Sequence, residues 1–296
     1  MKLRFTKMQA YGNDYVYIDA INQKLDNLTE LAKFVSDHHF GIGSDGMVLI
    51  CPSTVADFRM RIFNPDGTEA EMCGNAIRSV GKYVYDHKLT DKTHLKIETL
   101  GGIKTLDLTV ENGVVTNIRA NISKPIFDAD KIPVNTMKDK FIMEDVEILD
   151  KTFKLSSLSW GNPHTVLFVD DVMNFDVAKY GPAIENKLDV FPNRTNVTFA
   201  EVVNKNYIKI REWERGTGET IGCGTGCSTA VVIAKELGLT EGNCKVEQIG
   251  GILEIEYTES GELYMIGPSN FVFESEIDVS LSLIHISEPT RLRCIW

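Results

Sequence analysis

The strongest constraint in this sequence is a duplication. Cys73 in EAEMCGNAIRSVGKYVYD and Cys223 in ETIGCGTGCSTAVVIAKEL stand 150 residues apart, each followed by glycine, a small or polar pair and an apolar helical run. The first run places Ile77, Val80, Tyr83 and Val84 at helical spacing; the second does so with Cys227, Ala230, Val231, Ala234 and Leu237, and Gly238 is its stop. YGNDY at 11–15 matches WGNPH at 160–164, setting Asn13 against Asn162 at an offset of 149. Asn64 and Glu214 lie nine residues before their cysteines, and Glu69 and Glu219 lie four before theirs. Matches in register at so many places imply two homologous halves, each bringing one thiol and its polar neighbours.

Between the two Cys-Gly steps the chain reads mainly as strand. MVLI, FRMRIF, HLKIETL, TLDLTVENGVVTNIRANI, HTVLFV, YIKIREW and ILEIEYTESGELYMIG alternate or run β-branched, broken by Asn-Gly and Ser-Gly turns. NLTELAKFVSDHH at 27–39 predicts one further helix, with Asn27 or Thr29 at its cap. The fold class expected is therefore α+β: two homologous, pseudo-symmetric domains, each a mostly antiparallel β-barrel or roll around one central α-helix. The first domain spans 1–121, completed by a C-terminal strand near 266–279, and the second spans 122–265. No low-complexity linker separates them, so a tight interface with a cleft is expected.

Composition narrows the functional classes. With 31 basic against 42 acidic residues, the net charge of −11 argues against a nucleic-acid or anionic-membrane surface. The N-terminus lacks the apolar core of a signal peptide, and no apolar run is long enough to span a membrane, so a cytoplasmic chain is expected. Six cysteines occur without a C-x-x-C pair or a cluster of further ligands, which fits reduced thiols and no metal site. GIGSDG at 41–46 matches G-x-G-x-x-G literally, but a strand follows it; a tight turn is expected there rather than a nucleotide cradle. His38 and His39 are assigned only to the end of the 27–39 helix.

A cysteine just ahead of a helix meets unpaired backbone N–H groups and the positive end of the helix dipole. Both favour thiolate, so lowered thiol pKa values are expected. The same N–H groups form a carboxylate site. Two such thiols on opposite faces of one carbon suit stereoinversion: one removes a proton as thiolate while the other, as thiol, returns one to the opposite face. An amino-acid α-proton is far less acidic than a thiol, so positioning and donors aimed at the developing charge must supply most of the rate.

KMQAYGNDYVYID, MCGNAIRSVGKY, WGNPH and ERGTGETIGCGTG together resemble the diaminopimelate epimerase family, over about residues 3–279. The resemblance implies two barrel-like domains around central helices and a pyridoxal-independent isomerase needing no cofactor. Its substrate would be the small molecule diaminopimelate, with LL- and meso-forms interconverted for lysine and peptidoglycan biosynthesis. A homodimer is the assembly the resemblance admits. By the same resemblance Cys73 and Cys223 are the base and acid, while Asn13, Asn64, Asn162 and Asn196 bind substrate. Glu214 and Arg215 would take its ammonium and carboxylate ends, and Gly74, Asn75, Gly224 and Thr225 would give backbone N–H groups. His164 and Glu214 are the candidates for tuning the thiols. Two departures stand out: Gly46, where some relatives have Gln, and the tail 280–296, which matches nothing in the family and is expected to be disordered, with Cys294 outside the mechanism. A proline racemase-like enzyme would show Cys-Gly-His at the first site, where this chain has Asn75. A redox module would call for C-x-x-C.

Overall fold

The computed structural model describes residues 2–279. The expectations for the tail 280–296 and for Cys294 lie outside the described residues. The chain begins with β1 (Lys2–Ala10), β2 (Asn13–Asp19), α1 (Leu28–Ser36), β3 (Met47–Cys51), β4 (Phe58–Phe63) and β5 (Glu69–Ala70). α2 (Gly74–Asp86), β6 (His94–Thr99), β7 (Gly102–Glu111) and β8 (Val114–Ser123) follow. After β9 (Glu144–Ile148) the same order returns. It runs β10 (Lys151–Ser159), β11 (Pro163–Phe168), α3 (Val177–Glu185), β12 (Asn196–Asn204), β13 (Tyr207–Glu214) and β14 (Gly218–Thr220). Then come α4 (Gly224–Glu236), β15 (Asn243–Gln248), β16 (Gly251–Tyr257), β17 (Leu263–Gly267) and a last strand, β18 (Asn270–Asp278).

The pairing repeats as faithfully as the order. Most pairs are antiparallel, but β2–β3 and β4–β6 are parallel, and so are their counterparts β11–β12 and β13–β15. β8 pairs antiparallel with β17 and joins the halves edge to edge. Outside the repeat, β18 returns across the whole chain to pair with β1, while β9 takes the equivalent place beside β10. Each half thus curls round a helix that is buried along nearly its full length, α2 in one and α4 in the other. Ile77, Val80 and Val84 of α2 share one core with Val231, Val232 and Ala234 of α4. Each large aliphatic side chain so buried contributes about 1.5–3 kcal/mol.

Two smaller cores flank this one. α1 closes over Leu3, Val16, Ile18, Met47 and Leu49, and α3 closes over Leu155, Leu167, Val197 and Phe199. α1 is shorter than the predicted 27–39 span, because the chain turns at Asp37, whose carboxylate accepts from the backbone N–H groups of His39 and Phe40. Asn27 does stand at the cap, but with φ 49° and no side-chain hydrogen bond. The duplicated glutamates have a structural partner in each half. Arg61 grips Glu69 at 2.7–2.8 Å and Arg211 grips Glu219 at 2.7 Å, each pair bridging the strand that leads toward the cysteine.

Candidate active site

Cys73 and Cys223 are the N-cap residues of α2 and α4, both in extended conformation and neither making a side-chain capping bond. No acidic residue sits in either first turn. Helix starts left bare in this way keep their N–H groups free for an anionic ligand. Gly74 and Gly224 both pack on Met265 of β17: a Cβ at Gly74 would come within 2.5 Å of its sulfur, and one at Gly224 within 3.0 Å. One side chain therefore props both helix starts from between them.

Both thiols open into one cavity of about 530 Å³. Of the residues expected at the site, Asn13, Cys73, Gly74, Asn75, Asn162, Glu214, Cys223, Gly224 and Thr225 line it. Asn13 organises the first wall: its Oδ1 faces the Cys73 thiol at 3.6 Å and accepts from Asn75 Nδ2 at 3.2 Å, while its Nδ2 donates to Asp45 at 2.7 Å. The Tyr15 hydroxyl lies 3.9 Å from the same sulfur. On the second wall the Thr225 hydroxyl is 3.3 Å from Cys223 Sγ, and Gln248 Oε1 accepts from the Cys223 backbone N–H at 3.0 Å.

Asn64, Asn196, Arg215 and His164 do not line this cavity. Asn64 is exposed and its amide donates to Thr68 at 3.0 Å. Asn196 is buried; it donates to the Pro163 carbonyl at 2.9 Å and accepts from the Arg215 backbone N–H at 3.0 Å. The Arg215 guanidinium donates to the Asn193 carbonyl at 2.9 Å. Neither Asn13 nor Asn162 takes the left-handed conformation usual for asparagine beside glycine; Tyr11, Gly12 and Gly161 take it instead. Gly46 has φ 153°, and a Cβ there would meet the Phe63 carbonyl oxygen at 2.3 Å. A glutamine at this position therefore needs a different backbone path.

The expected lowering of the thiol pKa values does not hold. Burial pushes Cys73 up, offset only partly by the N–H groups of Ala76 and Asn75, the Tyr15 hydroxyl and the Arg78 guanidinium. Cys223 is pushed well above the ordinary thiol value, by burial first and then by Glu214 and Glu212. Desolvation outweighs the helix ends here because protein crowds most of each sulfur and leaves only the side that faces the cavity open. Burial also raises Glu214, whose carboxylate accepts from the Thr220 hydroxyl at 2.6 Å.

His164 is fully buried with neither ring nitrogen hydrogen-bonded, and burial followed by the nearby Arg215 charge takes it down to about 3. The unfolded chain protonates this imidazole below its ordinary value near 6.5, whereas the folded chain does so only near 3. The unfolded state therefore gains protons through that window, and stability falls as pH drops through it, by about 2–4 kcal/mol at the acid end. Unfolding free energies measured between pH 7 and 3 are expected to fall more gently for His164→Gln than for the parent chain.

Several lining residues had no sequence signal of their own. Lys104 is buried, and its ammonium donates to the Ser123 hydroxyl. Trp160 faces the cavity and its indole N–H donates to Thr229 at 3.0 Å. The duplication did carry a signal for Tyr15, which stands opposite His164 when YGNDY is laid on WGNPH.

The sequence profile described as Diaminopimelate epimerase matches residues 5–122 and 156–272, one segment in each half. The chain belongs to the diaminopimelate epimerase family. The diaminopimelate epimerase of Methanococcus maripaludis strain S2 is 50% identical over 278 residues, covering 94% of this chain and 100% of that protein. That of Acetivibrio thermocellus is 48% identical over 279 residues, covering 94% and 99%. Among solved structures, a Bacillus anthracis phenazine biosynthesis protein of the PhzF family aligns with TM-score 0.67 at 20% identity, covering 94% of this chain and 100% of that one. A probable proline racemase from Agrobacterium radiobacter K84 aligns with TM-score 0.69 at 14% identity, covering 94% and 93%. These two share the fold. As a member of the diaminopimelate epimerase family the chain is an isomerase acting on a small molecule. No helix among the described residues is long and apolar enough to cross a membrane.

Proposed function

We propose that this chain interconverts LL- and meso-diaminopimelate by proton transfer at the α-carbon between Cys73 and Cys223, as a step toward lysine and peptidoglycan. The observation that carries this reading is that both thiols, each at an uncapped helix start, line one cavity. In one direction the thiolate of one cysteine takes the α-proton and leaves a carbanion; the thiol of the other delivers its proton to the opposite face. The exchange leaves one proton on the pair, so the two cysteines trade roles when the direction reverses. The substrate α-carboxylate sits against the N–H groups at Gly74, Asn75, Gly224 and Thr225, where the charge spreading from the carbanion is met by fixed donors. Glu214 is placed to take the α-ammonium. Asn13 and Asn162 bind from the cavity wall.

The test follows the transferred proton. With LL-diaminopimelate in D₂O and no pyridoxal phosphate, deuterium is expected at the α-carbon as epimerisation proceeds. Proton NMR showing no loss of the α-proton would defeat the reading.

A further inference from the structure

The two halves repeat in backbone but not in buried charge, and the differences fall on the two thiols. Beneath Cys73, Arg78 of α2 is 0% exposed. Its guanidinium donates to the Gly74 carbonyl at 3.0 Å and to Asn75 Oδ1 at 2.7 Å, and its Nε has no hydrogen-bond partner. Among the described residues no carboxylate pairs with it. At the repeat-equivalent place α4 has Ser228, which donates to the Gly224 carbonyl at 2.8 Å and brings no charge.

Behind Cys223 the situation is reversed. Glu212 of β13 is 2% exposed; its Oε2 accepts from the Thr198 hydroxyl at 2.6 Å, and its Oε1 lacks a hydrogen bond, lying 3.8 Å from His164 Nδ1. The carboxyl presses on the first turn of α4, where a Cβ at Gly226 would come within 2.3 Å of Oε2. Glu212 and Glu214 stand where the first half has Ile62 and Asn64. A buried cation thus underlies one thiol and two carboxyl groups back the other.

We propose that Arg78 and Glu212 polarise the thiol pair, so that in the substrate-free enzyme Cys73 is the first of the two to ionise and Cys223 the one that keeps its proton. A negative sulfur is stabilised beside a guanidinium that has no carboxylate partner, whereas Cys223 shares its dry surroundings with Glu212 and Glu214, whose own ionisation burial already disfavours, so a negative sulfur there is disfavoured further. The groups around each sulfur agree with this sign. Cys73 faces Asn13, Tyr15 and Tyr17 from β2 and Arg78 from its own helix. Cys223 faces Glu212 and Glu214 from β13 and Thr225 from α4, with neutral His164 of β11 behind Glu212. Lys104 and Lys124 stand in the cavity wall that both thiols share. Arg78 and Glu212 are positioning residues, acting through the sulfurs without touching substrate.

This inference rests on the two-thiol reading and deepens it. Its test uses iodoacetamide on the substrate-free protein across a pH series, with alkylation at each cysteine followed by peptide mass spectrometry. The pH midpoint of each rate reports thiolate formation whatever the access to the sulfur. Cys73 is expected to titrate at least about one pH unit below Cys223, a tenfold difference in thiolate fraction. Glu212→Gln, which keeps shape and the Thr198 contact, is expected to lower the Cys223 midpoint by about one unit and leave that of Cys73 in place. Arg78→Gln is expected to raise the Cys73 midpoint by a similar step, and Glu212→Gln decides the matter alone where Arg78→Gln does not fold. Cys223 titrating first would overturn the proposal, as would Glu212→Gln slowing both alkylations with neither midpoint moved. Ordered midpoints in a protein that exchanges no α-proton in D₂O would overturn only the epimerase reading.

Discussion

Cys73→Ser and Cys223→Ser are each expected to lower kcat by about 10²–10⁴-fold while leaving the protein folded. A hydroxyl in either place is a far weaker acid than the thiol it replaces, and the partner thiol cannot serve both faces of one carbon. Because the two act as a unit, the double variant should lose little more than either single one. Initial rates from LL- and from meso-diaminopimelate, with circular dichroism to confirm folding, check this. Near-normal epimerisation by either single variant would defeat the two-thiol scheme. The bare helix starts remain in both variants, so substrate binding is expected to change much less than turnover.

Met265→Ala is expected to cost about 2–5 kcal/mol of stability, the usual penalty for hollowing a closed core at this residue type. Met265 is fully buried, and its sulfur is the common neighbour of Gly74 and Gly224. It also receives a contact from Arg78 Nη1 at 3.7 Å. The resulting void lies under both thiols at once, so kcat should fall in both directions by a similar factor. Urea unfolding gives the first quantity and steady-state rates from each isomer give the second. A loss confined to one direction would show that Met265 supports one helix start and not two.

The duplication was readable because it is written in glycines, cysteines and asparagines, residues whose backbone or chemical demands recur wherever the fold recurs. It led to the two central helices, the strand-rich halves and the matched pairs Cys73 with Cys223 and Asn13 with Asn162, while Asn75 and Thr225 came only from the family resemblance. The parallel pairs were not legible, since alternation along β2 or β11 is the same whichever way the neighbouring strand runs. α3 was also missed. Gly181 and Pro182 interrupt its propensity, although α1 in the other half pointed to it by position. Asp176 makes it a helix nonetheless, its carboxylate capping the Lys179 N–H at 3.1 Å. At the site, the helix-end effect was legible but the burial that overrides it was not, because desolvation depends on what the rest of the chain packs over the sulfur. Arg78 and Glu212 read in sequence as ordinary members of an amphipathic helix and an alternating strand. Only their packing shows that both charges point inward.

The pairing of β1 with β18 also has a consequence for how the protein is made. Lys2 lies opposite Asp278, so β1 leaves the ribosome long before the strand that closes its edge. At a synthesis rate of roughly 5–20 residues per second, the interval is on the order of tens of seconds. Throughout it β1 offers an open row of backbone donors and acceptors to any passing strand. Translation rate and chaperone supply should therefore govern the yield of this protein more than its final stability does.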